Sequence, residues 1–134
     1  MTAITHRLAA ADSELLRFAL RADATLCAGL GLLTAVAADP LSRLTGLSAT
    51  AEWIGGAALV AYGVALYCAA RITDIRRVGI AVVLGNVLFV AAVAVALVTG
   101  ALPLTRFGVT AAVTFTAATV VLTWLQYLGA RRLA

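Results

Sequence analysis

Residues 78–98 read VGIAVVLGNVLFVAAVAVALV, a run with no charged side chain and a single amide, Asn86. A hydrocarbon layer about 30 Å thick is crossed by about 20 helical residues at about 1.5 Å each. This run is long enough to cross, and nothing within it resists burial in lipid. Working outward, residues 105–128, 52–71 and 14–37 repeat the pattern, which gives four candidate spans. Backbone amides in lipid must pair within their own segment. Strands would need a closed barrel with alternating residues, so continuous apolarity of this kind predicts helices. The expected fold is therefore an all-α membrane protein with one domain of four transmembrane helices over residues 1–134.

Composition agrees. Of 134 residues 63% are hydrophobic and 12% charged, and mean hydropathy is +1.05. A soluble domain of this length needs a polar shell that these residues cannot supply. The formal net charge of +4 would suggest nucleic acid in a soluble protein. Here the arginines flank apolar runs, where they set topology and meet headgroups, and no nucleic acid is implied. Residues 24–38 end in a small-x-small pattern, but Asp12, Glu14 and Asp23 precede them, so they read as part of the first span and not as a cleaved signal.

Arginine placement gives the orientation. Arg7, Arg17, Arg21, Arg71, Arg76, Arg77, Arg131 and Arg132 fall on one side, against Arg43 and Arg106 on the other. Excess positive charge marks the cytoplasm. The expected location is the inner (plasma) membrane, multi-pass, with both termini cytoplasmic, Trp53 at the outer interface, and Trp124 and Tyr127 at the inner one. Asp12 or Ser13 is expected to cap the first helix, after a short surface helix over residues 5–11. The outer loop, residues 39–51, reads as a helix lying on the membrane with Asp39 as cap, Pro40 at its first position and Leu41, Leu44 and Leu47 toward lipid.

An internal repeat is suggested at two places. Pro40-Leu-Ser-Arg-Leu44 is echoed by Pro103-Leu-Thr-Arg-Phe107, and the same offset of 63 carries Asp23 onto Asn86. Tyr67-Cys-Ala-Ala-Arg71 recurs as Tyr127-Leu-Gly-Ala-Arg131. Units of about residues 14–71 and 78–131 would be tandem helical hairpins related by a pseudo-twofold along the membrane normal.

No nucleophile with its base, glycine-rich phosphate loop, paired carboxylates or metal-ligand cluster is present, so no catalytic residue, cofactor site or metal site is expected and the chain reads as a non-enzyme. Cys27 and Cys68 lack metal or redox spacing and read as packing residues. Asp23 is costly at its depth in a span and must face a partner or the bundle interior. With Asn86, Tyr67, Thr119 and Thr123 it forms an expected intramembrane polar layer, either a proton, cation or headgroup site or a hydrogen-bond cluster fixing helix register. Arg17, Arg21, Arg71, Arg76, Arg77, Arg131 and Arg132 are the candidate contacts for anionic headgroups or a partner. Alanines at 57, 61, 65 and 69, and Gly31 with Ala35, offer strips for close helix contact.

With residues 15–24, LLRFALRADA, at the head of the first span, Asn86 in the third and residues 125–132, LQYLGARR, at the end, the chain resembles a group of small four-helix membrane proteins of actinobacteria. The use of arginine for all ten basic residues fits a high-GC bacterial source. The resemblance implies the four-helix fold and carries no catalytic role to any position. A chain with so little extramembrane mass has mainly helix faces to offer. The leading expectation is thus an accessory or assembly subunit of a larger membrane complex of the cell envelope, such as a lipid transporter of the mammalian-cell-entry type. Two alternatives stand beside it: a homo-oligomeric transporter or channel using Asp23 and Asn86, and a lipid or stress sensor.

Overall fold

A computed structural model describes residues 1–134. Five helices follow in order: α1 (Thr2–Val36), α2 (Ala38–Thr45), α3 (Ala49–Ala69), α4 (Ile75–Thr99) and α5 (Arg106–Arg132). There is no strand. α1, α3, α4 and α5 are each long and apolar enough to cross a membrane, and the chain is a multi-pass membrane protein of four membrane-length helices.

Local chemistry sets the helix starts. Ser48, Asp74 and Thr105 each turn a side-chain oxygen onto a backbone amide of the following first turn, from Ala51, Arg77 and Gly108 respectively. Gly46 and Gly100, at φ 88° and 66°, end α2 and α4 in the left-handed region that glycine adopts without strain.

α1 departs from expectation. It runs unbroken from Thr2, so residues 5–11 extend the first span as exposed helix and form no separate surface element, and neither Asp12 nor Ser13 is a cap. No proline or glycine stands before Gly29 to interrupt the helical run. α2 begins two residues earlier than expected, at Ala38, which puts Asp39 inside the first turn and Pro40 at its third position. Leu44 faces outward, while Leu41 and Leu47 are half-buried against the bundle.

α1 is the central helix. It runs antiparallel to α3, and its small residues allow near-contact of the two backbones: a Cβ on Gly31 would lie 2.7 Å from Leu59 Cβ, and one on Gly63 would lie 2.7 Å from Ala28 N. The expected Gly31 and Ala35 strip therefore lies in this interface. The alanine strip of α3 does not, because Ala61 and Ala65 face outward and Gly56 and Gly63 take the contact instead. On its other side α1 meets α5, where Leu16 seats against Gly129 and also reaches Gly79 of α4. Leu16, Leu20, Ala24, Leu66, Ala70, Ile75 and Ala130 make the apolar core.

α4 packs chiefly on α5 and hardly at all on α3, although only a short turn joins α3 to α4. Leu16 meets Gly79 and Asp23 meets Asn86, so α1 and α4 run parallel at the 63-residue offset of the sequence repeat. Their neighbours are unequal: α1 lies along both α3 and α5, whereas α4 lies along α5 and touches α1 at few points. The packing thus departs from the symmetric pair of hairpins that a pseudo-twofold would produce.

At the end opposite the termini, α2 is pinned to the start of α5. Thr105 N donates to Thr45 O at 2.9 Å, and the Thr105 hydroxyl donates to Leu44 O. The Thr45 hydroxyl in turn donates to the buried carboxylate of Glu52.

Candidate functional site: a buried polar layer

Each of the four long helices sends one polar side chain to a common point, and α1 adds a thiol. Asp23 of α1, Asn86 of α4 and Gln126 of α5 are buried, at 1%, 4% and 0% exposure. Gln126 Nε2 donates to Asp23 Oδ2 at 2.8 Å, and Asn86 Nδ2 donates to the same oxygen at 3.1 Å. Asn86 Nδ2 also reaches Gln126 Oε1 at 3.1 Å, which ties α4 directly to α5. From α3, the Tyr62 hydroxyl donates to Asn86 Oδ1 at 2.9 Å. One turn along α1, the Cys27 thiol faces Asp23 Oδ1 at 3.4 Å.

The donor pattern has a chemical logic. A carboxylate only accepts, a primary amide both donates and accepts, and a phenol can donate at the margin of the set. Asp23 therefore sits as the sink of a network in which every buried side-chain oxygen and nitrogen has a partner. All its donors are neutral. The ion pairs of the chain are Arg77 with Asp74 at 3.2 Å and Arg132 with Asp12 at 3.6 Å, both away from this layer. No group of three His, Cys, Asp or Glu side chains comes together.

Of the residues expected in the layer, Asp23 and Asn86 meet. Tyr67 does not: it is exposed, and the Arg71 guanidinium carbon lies 5.8 Å from its ring centroid. Tyr62 takes that place. The two tyrosines are five residues apart, and at about 100° per residue they point about 140° apart on α3. Thr119 is buried, but its hydroxyl bonds back to Phe115 O, and the half-buried Thr123 bonds back to Thr119 O. Both satisfy themselves within α5 and contribute no contact to Asp23 or Asn86. Gln126, Tyr62 and Cys27 are the members not expected from the sequence. Gln126 carried a usable signal, since an amide near the end of an apolar span must find a partner.

The arginines divide by role. One Arg17 nitrogen donates to Ala70 O and to Ile72 O, the latter at 3.1 Å, so this side chain closes the C-terminal end of α3. Arg17 thus serves the fold, where a headgroup contact was expected, because free carbonyls at a neighbouring helix end lie within its reach. Arg77 and Arg132 have acidic partners. The side chains of Arg21, Arg71, Arg76 and Arg131 form no ion pair or hydrogen bond within the chain and, with Arg7, remain the open cations on this side. Trp124 and Tyr127 stack at 5.6 Å on the exposed surface of α5, and Trp53 is exposed near the opposite end.

No protein-family model, curated protein or solved structure matches the chain.

Proposed function

We propose that the chain is a non-catalytic accessory or assembly subunit of a larger membrane complex of the cell envelope. The observation that carries this reading is the one-sided packing of α4. Its polar residue, Asn86, is turned inward and satisfied, and Ile75, Gly79 and Asn86 are its only buried residues. Leu84, Leu88, Val95 and Val98 form a continuous outward stripe on the far side from Asn86, with Ala91 among them. A large apolar stripe broken by a small residue suits a second helix as well as it suits acyl chains. The open cations at the end that bears the termini add a rim for acidic partner residues or anionic headgroups.

On this reading the protein resides in the plasma membrane of an actinobacterium with both termini cytoplasmic, and the complex proposed is a lipid transporter of the mammalian-cell-entry type. A photo-crosslinking residue at Leu88, introduced in the native host, should join the chain to one larger membrane protein, and a C-terminal tag should recover the two in fixed ratio from mild detergent. Recovery as a lone monomer or simple homo-oligomer, with no crosslink from Leu88, would refute the proposal.

A second reading rests on Asp23. A carboxylate within an apolar span, held only by neutral donors, is the group that a proton- or cation-coupled homo-oligomeric transporter would use. Replacing the carboxylate by an amide separates the two readings.

A further inference from the structure

A shallow groove runs between α1 and α3 near the end of the bundle that bears the termini. Phe18, Arg21, Ala22, Thr25, Leu26 and Tyr67 line it. It opens outward toward lipid and is separate from the polar layer: Phe18 is 65% exposed and Tyr67 48%. Arg17 is bonded at the level of Ala70 and Ile72. Arg21 is therefore one turn deeper, about 6 Å by helical rise, near the level of Tyr67.

Charge in this groove is uncompensated. Arg21 is exposed, and its side chain makes no hydrogen bond or ion pair within the chain. Arg71 is likewise unpaired and sits by the Tyr67 ring, 5.8 Å from its centroid. No acidic residue lines the groove. Guanidinium groups hold phosphate through paired N–H donors, and long arginine stems let the charge rise to headgroup level while the methylenes stay in lipid.

We propose that this groove is a binding site for an anionic phospholipid of the leaflet on the terminal side. Arg21 and Arg71 hold the phosphate, and an acyl chain lies along Ala22 and Leu26 between Phe18 and Tyr67. The site discriminates against a choline lipid in two ways: its quaternary ammonium would meet two cations, and the aromatic ring that could receive it is occupied by Arg71.

Native mass spectrometry of the detergent-purified protein, with phosphatidylglycerol or phosphatidylcholine of identical acyl chains added, tests the proposal. The wild-type chain should retain phosphatidylglycerol about tenfold more favourably. Arg21→Gln should abolish the preference, and because the Arg21 side chain has no polar partner in the chain, and its backbone bond from Thr25 is untouched, the variant keeps its fold. Ala22→Phe, which fills the groove and leaves both arginines, should abolish it as well. Arg106→Gln, at the opposite end, should leave it unchanged. Equal retention of the two lipids by the wild-type chain overturns the proposal, as does an undiminished preference in either groove variant. A phosphatidylglycerol with a photoreactive acyl chain gives a check free of variants: it should label wild-type protein within residues 18–26 or at Tyr67, and labelling centred on α4 or α5 would exclude this site.

Discussion

Gln126 and Asn86 both donate to one oxygen of Asp23, Oδ2, at 2.8 and 3.1 Å. Three helices are joined at that atom. Asn86 also bonds Gln126 and accepts from Tyr62, so the loss of one member leaves others unsatisfied in a medium with no water to replace it.

Replacement of Asp23 by Asn keeps an oxygen for the two amides and turns a donor toward Cys27. If the layer is structural, the variant should retain expression, assembly and function, with stability within about 1 kcal/mol of wild type. Asp23→Ala orphans two donors and should lose about 2 kcal/mol. Thermal unfolding in detergent reads both. A well-folded Asp23→Asn protein without activity would favour the transporter reading.

The α1 and α5 interface should be intolerant of a single methyl group. A Cβ on Gly129 would lie 2.9 Å from Leu16 Cβ and 3.1 Å from its Cα, atoms held by the α1 backbone. Gly129→Ala should therefore destabilise the protein by about 1–3 kcal/mol through overpacking. A methyl group on Gly85 would have nothing within 4 Å. Gly85→Ala should be neutral or stabilising, by up to about 1 kcal/mol from helix propensity alone. Equal effects from the two would mean that α5 is not seated on Leu16.

Arg17→Gln removes the cation from the C-terminal end of α3. Faster amide hydrogen exchange is expected around Arg71 and Thr73, with a loss of about 1.5–3 kcal/mol for a charge-assisted pair. Arg21→Gln, one turn away and unbonded, should change neither. The contrast tests whether the two arginines differ in role as their contacts do.

Ser42 and Thr73 lie at opposite ends of the bundle, on α2 and in the turn before α4. Single cysteines at these positions, in a background without Cys27 and Cys68, should react differently with an impermeant reagent in intact cells. The arginine excess predicts labelling at Ser42→Cys only. The reverse pattern would invert the proposed orientation and leave the packing as it stands.

The four spans were legible because burial in lipid depends on length and apolarity, which residues 78–98 display outright. Caps were less so. Ser48 and Thr105 lie just ahead of their helices, but α1 continues back through Ser13 because propagation of an existing helix competes with the capping side chain. Asp23 and Asn86 were found as a pair because burying either polar group alone is costly. Tyr62 was lost to Tyr67 because rotational position on α3 depends on which face meets α1, and that is set by Gly56 and Gly63 and not by the more frequent alanines. Arg17 looked like its neighbour Arg21 because a sequence gives no account of which carbonyls a helix leaves open nearby.

The order in which the helices are synthesised gives the Asp23 layer a further meaning. Asp23 is made before its two amide partners, which follow 63 and 103 residues later in the chain. At about 5–20 residues per second this delay is about 3–20 s, during which α1 holds an acid whose only partner in its own helix is Cys27. An isolated acid within a span opposes insertion, by up to about 2.5–3.5 kcal/mol at the centre and by less toward the interface where Asp23 lies. Until α4 and α5 are in place, Asp23 therefore lacks both of the amides that satisfy its Oδ2 in the finished bundle. The bond that closes the finished bundle is thus the last to form along the chain, since Gln126 is synthesised after every other member of the layer.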